Sequence, residues 1–197
     1  DGLDKVTGRA KFGADFFLPG MLYGRTLRSP HAHAVIKSID TSAAEALPGV
    51  KAVITRDDFP DIDPGSVAGD MTRTAMAREK ALFDGHPVAA VAATSDAVAK
   101  RALKLIKVDY EVLPHVIDPV DAMKPDAPIL HDYIRTKGLD EPSDKPTNVT
   151  ERMVSQMGDI EKGFAEADVI VEREFDSKPM HQGYIEPQGC VAEYSED

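Results

Sequence analysis

The sequence has 197 residues, of which 42% are hydrophobic and 29% charged, as in an ordinary globular protein with one sizeable domain or two small ones. Its formal net charge of −11 argues against nucleic acid as a partner, because an acidic surface repels phosphate backbones. The sequence contains no run of about 18 apolar residues, so it predicts no membrane-spanning helix. The one cysteine, Cys190, excludes an internal disulfide and is typical of a cytoplasmic chain.

The first 60 residues predict three short strands joined by turns and one short helix. The strands are expected at Met21–Arg28, Ala34–Asp40 and Val50–Thr55, where β-branched or alternating residues stand between turn residues. Thr41 or Ser42 is expected to cap a helix at residues 43–47, which Pro48-Gly49 closes. A short capped helical turn is predicted at residues 56–60.

The middle of the chain predicts a long loop followed by a strand, a helix and another strand. Residues 61–79 show no period and are interpreted as loop. The small apolar run Pro87–Ala93 is typical of a strand buried on both faces. Ser95 or Asp96 is expected to cap a helix through Ile106, and residues 108–112 alternate as a strand.

Six prolines between residues 113 and 147 predict an extended connector with one helical turn at residues 120–123. Three further strands are expected at residues 148–156, 169–175 and 190–194. Between the first two, Asp159 is expected to cap a short helix at residues 160–167. These elements together indicate the α+β fold class.

Two groups of side chains resemble metal ligands. His31 and His33 would point to the same side of an extended segment, but zinc requires further ligands that the sequence does not place. The alternative, a turn with solvent-facing or core-satisfied imidazoles, is favoured. An acidic group interrupted by prolines lacks the alternation of a calcium loop, so a helix cap and a solvated loop are preferred there; it comprises Asp57, Asp58, Asp61 and Asp63.

Two arrangements near the end of the sequence could carry catalysis. Cys190 with His181 as base would form a thiol nucleophile, but Cys190 is expected to lie in an apolar strand, where thiols are usually inert. His181 and Glu186 could serve as an acid–base pair or could anchor a turn. The residues alone leave this last choice open.

Ordered blocks across nearly the whole sequence resemble the large subunits of molybdenum hydroxylases, the xanthine dehydrogenase and aldehyde oxidase family. The blocks include Asp4–Ala10, Arg28–Ala34, Gly85–Val91, Val108–Pro114, Gly158–Ile160 and Glu186–Ala192. His86 stands where members of that family commonly carry Gln, a modest change in a structural turn.

The resemblance implies an α/β hammerhead domain of mixed sheet and short helices at residues 1–120 and a Pro-rich connector at residues 121–147. Residues 148–197 would then begin a molybdopterin-binding domain, truncated in this chain. The expected function is the N-terminal, non-catalytic portion of an oxidoreductase subunit. The complete enzyme would hydroxylate a carbon centre with water oxygen.

No position matches a catalytic, cofactor-binding or metal-binding residue of that family, so the chain alone is expected to be inactive and to hold no cofactor. In the complete enzyme the resemblance implies a molybdopterin cofactor, 2Fe-2S clusters and sometimes FAD. The expected partners are the remainder of the molybdopterin-binding subunit and the iron–sulfur and flavin subunits or domains. The alternatives are a free-standing protein-binding module that uses the loop at residues 61–79, and an independent hydrolase that uses His181 and Glu186.

Overall fold

The structure is a computed structural model that describes residues 1–186 and 188–195. The chain forms two compact units, and residues Leu22–Val154 make up the larger one. The smaller unit combines the first 21 residues with the residues from 155 onward. No described helix is long and apolar enough to span a membrane.

Two three-stranded antiparallel sheets form the framework of the larger unit. The first has the order β1-β5-β3, and the second has the order β4-β2-β6. Their strands are β1 (Tyr23–Arg28), β2 (Ala34–Asp40), β3 (Val50–Ile54), β4 (Lys80–Ala81), β5 (Pro87–Ala93) and β6 (Lys107–Val112). The apolar run predicted as a buried strand is therefore the centre of the first sheet.

The described residues also form six α-helices and two 3-10 turns. The helices are α1 (Gly2–Val6), α2 (Ser42–Glu45), α3 (Val67–Ala75), α4 (Asp96–Leu103), α5 (Pro119–Ala122) and α6 (Ile160–Glu166), and the turns are Gly13–Asp15 and Arg56–Asp58. Helices α1 and α6 and the first turn belong to the smaller unit. Asp159 caps α6 by accepting the Lys162 N–H at 2.9 Å, as predicted.

The main hydrophobic core lies between the first sheet and helix α4. Ala89, Val91 and Ala93 of β5 pack with Ala99 and Ala102 of α4, and all five side chains are buried. Small side chains at these positions let the helix approach the strand closely. A second cluster, with Ile36 and Val88, continues the core toward the second sheet.

The cap of α4 gives a direct test of its local stability. Ser95 Oγ accepts the Val98 N–H at 3.3 Å, which satisfies one of the unpaired donors of the first turn. We expect Ser95→Ala to lower the free energy of unfolding by about 1 kcal/mol, measured by urea unfolding. Thr41→Ala is the control: Thr41 occupies the same position before α2 but makes no side-chain cap bond. Equal losses in both variants would contradict this role for Ser95.

The Pro-rich connector is held by one asparagine side chain. Asn148 Nδ2 donates to the carbonyls of Ala122 and Pro128, and Asn148 Oδ1 accepts the Leu130 N–H, all at 3.0–3.1 Å. Helix α5 begins one residue before the predicted turn. The connector is therefore ordered by contacts to a residue that follows it in the sequence.

The expected cap of α2 by the hydroxyl of Thr41 or Ser42 is not formed, and two further predictions about secondary structure are wrong. Residues 61–79 are not one loop, because α3 occupies nine of them after a cap in which Ser66 Oγ accepts the Gly69 N–H. The three late strands are also not formed: Glu151 makes a single bridge to Lys137, and no strand is present within 155–186 or 188–195. A strand requires a hydrogen-bonded neighbour, and every described residue from 155 onward is exposed.

Candidate functional site

The two histidines proposed as metal ligands have separate structural roles. His33 is buried, and its Nδ1 lies 2.7 Å from the carbonyl oxygen of Pro114, which fixes the proton on that nitrogen. His31 packs its ring edge against Tyr110, with the centroids 5.1 Å apart. No group of three potential metal-ligating side chains occurs among the residues that the structure describes. The ring contact of His31 and the Nδ1 bond of His33 agree with the favoured turn, but Nε2 of His33 is buried and has no hydrogen-bond partner within the described residues.

The acidic group at residues 57–63 is divided between a cap, a loop and an ion pair. Asp58 Oδ2 accepts the Thr55 N–H at 2.8 Å, and Asp63 Oδ1 accepts the Gly65 N–H at 3.0 Å. Asp61 faces two arginines, Arg73 and Arg78, at 3.6 Å each. The sequence predicted the cap and the solvated loop, but it did not predict the arginines.

The structure does not assemble either catalytic arrangement near the end of the sequence. His181 Nδ1 accepts the Gly183 N–H at 3.0 Å, and Glu186 Oε1 accepts the Gly13 N–H at 2.8 Å. Cys190 is exposed and lies outside any strand, so the expectation that it lies in an apolar strand is wrong. No hydrogen bond or ion pair within the described residues joins His181 to Cys190 or Glu186. The bond of His181 is local and fits the interpretation that it anchors a turn, whereas Glu186 is bound to Gly13, which is 173 positions away in the sequence.

His86 is the buried polar group around which the loop before β5 is organised. Its Nδ1 accepts the Leu82 N–H at 3.1 Å, and its Nε2 lies 2.7 Å from the carbonyl oxygen of Arg73. These partners require the neutral ring with the proton on Nε2. Phe83 stacks on the ring with centroids 4.2 Å apart. Burial lowers the pKa of His86, so the ring stays neutral and ties α3 to the loop.

A charged cavity of about 260 Å³ lies beside His86, within the larger unit. Its basic lining residues come from the end of α3 and from the segment leading into β4, namely Arg73, Arg78 and Lys80. The connector contributes Leu130, Asp132 and Tyr133. Sequence reasoning missed this site because its parts are far apart in the chain; the one local signal is the presence of three basic residues, Arg73, Arg78 and Lys80, within eight positions.

Comparison with known proteins places these features in a family. A model described as the aldehyde oxidase and xanthine dehydrogenase a/b hammerhead domain matches residues 7–114, and one described as a molybdopterin cofactor-binding domain matches residues 141–197. The chain therefore belongs to the aldehyde oxidase and xanthine dehydrogenase family.

Individual relatives agree with this assignment. The chain is 40% identical to the carbon monoxide dehydrogenase large chain of Afipia carboxidovorans over 94% of its own length and 23% of that protein. It is 35% identical to a probable xanthine dehydrogenase component of Bacillus subtilis over its full length and 25% of that protein. The chain thus spans about a quarter of the length of these curated relatives.

Solved structures show the same relationship in three dimensions. The CO dehydrogenase of Oligotropha carboxidovorans superposes with a TM-score of 0.65 at 37% identity, over 85% of this chain and 21% of that one. The aldehyde oxidoreductase of Desulfovibrio gigas superposes with a TM-score of 0.58 at 33% identity, over 67% of this chain and 16% of that one. The α+β hammerhead fold expected from the resemblance is confirmed.

Proposed function

We propose that the chain supplies the hammerhead region and the start of the cofactor-binding region of a molybdenum-binding large subunit. The complete enzyme would hydroxylate a carbon centre with water oxygen. The observation that carries the proposal is the order of the two family matches, at residues 7–114 and 141–197. Domain limits of 1–120 and 148–197, with a connector between them, remain our proposal for its organisation.

We propose that the residues of the cofactor-binding match do not by themselves form a site for a pterin. A cofactor site excludes water with buried side chains, whereas all residues in 155–186 and 188–195 are exposed. We therefore propose that this chain contributes no catalytic, cofactor-binding or metal-binding residue. In the proposal, the remainder of the subunit completes the molybdopterin site.

The other components follow from the class of enzyme proposed. Iron–sulfur clusters, and FAD in some members, would reside in partner subunits or domains. One relative is named as part of a multi-subunit complex, the 6-hydroxypseudooxynicotine dehydrogenase complex of Paenarthrobacter nicotinovorans. We propose the cytoplasm as the compartment, because the single cysteine permits no internal disulfide. The alternative of a free-standing binding module lost its main support when residues 67–75 proved to be helical.

The metal content of the purified chain tests the proposal that the remainder of the subunit completes the molybdopterin site. We expect the 197-residue chain, purified from a host that makes molybdopterin, to contain neither molybdenum nor iron by mass spectrometry. The matched control is a longer chain that also includes the residues encoded after residue 197. This longer chain should retain about one equivalent of molybdenum. Stoichiometric molybdenum in the shorter chain, or an unrelated coding sequence after it, would contradict the proposal.

A further inference from the structure

In the charged cavity beside His86, the cationic side chains are buried more deeply than the carboxylates that face them. The side chains of Arg73, Arg78 and Lys80 are only 14–28% exposed. The carboxylates that face them are 69–77% exposed and belong to Asp61, Glu79 and Asp132. Cations therefore lie in the interior of the site, and solvated carboxylates lie at its rim. An acidic protein that concentrates buried cations at one place creates a local site for an anion.

The Arg78 guanidinium is incompletely neutralised by the protein, whereas Arg73 also pairs with Glu79 at 3.1 Å. Asp61 Oδ1 lies 3.6 Å from Nη2 of Arg73 and equally far from Nη2 of Arg78, which is beyond the length of a normal hydrogen bond. The Nε atoms of both arginines are buried and have no hydrogen-bond partner within the described residues. Because the carboxylate of Asp61 is shared, distant and exposed, the Arg78 guanidinium has no close anionic partner within the described residues.

The other arginine contacts fix the side chains in place. Arg78 Nη1 donates to the carbonyl of Pro60 at 3.1 Å, and Arg73 Nη1 donates to Glu79 at 3.1 Å. The Arg73 guanidinium also lies 5.8 Å from the ring centroid of Tyr133, within the range of a cation–π contact. The donors are therefore preorganised, which lowers the entropic cost of binding a ligand.

Size and lining restrict the ligand. A volume of about 260 Å³ accommodates a small ion. Guanidinium groups match the geometry of phosphate and carboxylate oxygens. Leu82 and Leu130 add apolar lining, which suits a short carbon chain beside a carboxylate.

We propose that this cavity binds a small free oxyanion, either inorganic phosphate or a short-chain carboxylate, between Arg73, Arg78 and Lys80. The rim carboxylate Asp132 pairs with Lys80 at 2.9 Å and would compete with an anion for it. The site does not depend on the proposed function of the chain, since all of its residues lie within the hammerhead and connector.

Isothermal titration of the 197-residue chain with phosphate, and separately with succinate, tests the proposal at low ionic strength. We expect saturable binding of one equivalent of at least one of them, and the tighter ligand identifies the class of oxyanion. Lys80→Met should weaken binding by about tenfold or more. Lys37→Met is the matched control, because Lys37 pairs with Glu111 at 3.0 Å on the neighbouring strand outside the cavity.

A second pair of variants separates binding from folding. Asp132→Asn removes the competing carboxylate and should tighten binding by several-fold, an effect that loss of structure would not produce. Glu111→Gln is its control and should leave the affinity unchanged. Absence of saturable binding to the unaltered chain would overturn the proposal. So would equal affinities in the Lys80 and Lys37 variants, or an Asp132→Asn variant that binds no more tightly.

Discussion

Replacing His86 by alanine should lower the free energy of unfolding by about 3 kcal/mol and the Tm by roughly 10 °C. The side chain is 1% exposed and is stacked on Phe83. Its removal leaves a cavity and deprives the Leu82 N–H and the Arg73 carbonyl of their partners. Buried backbone groups without partners are costly, so this loss should exceed that of the Ser95 cap. Urea and thermal unfolding followed by circular dichroism measure it.

His86→Gln is the matched variant for this prediction. A glutamine amide has a carbonyl oxygen to accept the Leu82 N–H and an NH2 group to donate to the Arg73 carbonyl. We therefore expect it to retain most of the stability that alanine loses, in keeping with the glutamine that the family resemblance implies at this position. If glutamine were as destabilising as alanine, the two hydrogen bonds would not be the source of the stability.

The same histidine should make the stability depend on pH. Burial lowers the pKa of His86 in the folded chain, and protonation of Nδ1 would place an N–H against the Leu82 N–H. Between the ordinary histidine pKa of about 6.5 and the lower folded value, the unfolded chain binds more protons than the folded chain. Stability should therefore be full above about pH 6.5 and fall as the pH drops below it.

His131 is the other histidine expected to act in this direction. Burial lowers its pKa as well, so the unaltered chain and the glutamine variant should both lose stability in acid. The difference between their free energies of unfolding at pH 7.5 and pH 5 isolates the contribution of His86. A difference that does not change with pH would show that His86 is not held neutral.

The strands of the larger unit could be predicted because their signals are local. Residues 34–40 and 87–93 have the predicted strand bounds, since apolar or β-branched runs stand between clear turn residues. The helix at residues 67–75 was missed for the opposite reason. Its apolar residues Val67 and Met71 are 79% and 68% exposed. The helix is held instead by the Ser66 cap and by the hydrogen bond from His86 to the Arg73 carbonyl.

The late strands show how local propensity can mislead. Val169, Ile170 and Val171 have strong β-propensity, yet the structure places them in exposed, unpaired chain. Pairing depends on a second segment, and none of the described residues supplies it. The cavity could not be predicted from the sequence either, since Lys80 and Asp132 are separated by 52 positions and no sequence period connects them.

Glycine to alanine at position 69 should destabilise the larger unit by about 2–3 kcal/mol, although the same change inside a helix is normally favourable. Gly69 is the third residue of α3 and is buried. A Cβ atom there would lie 1.9 Å from the carbonyl oxygen of Asp63, which also accepts hydrogen bonds from the Ser66 N–H and hydroxyl. Backbone and cap would both have to move, and Arg73 at the other end of the helix would move with them.

Gly163 provides the matched control for Gly69. It lies inside α6, and no atom lies within 4 Å of an added Cβ, so alanine should raise helicity, by up to about 1 kcal/mol of helix propensity. The two substitutions should change the free energy of unfolding and the helical signal in far-ultraviolet circular dichroism in opposite directions. That result would show that the packing of Asp63 against α3, and not helix propensity, decides the effect at position 69. Stabilisation by both changes would mean that the turn from Asp63 to Gly69 is less closely packed than the structure has it. The contact between His86 and Arg73 would then not depend on a fixed start of α3.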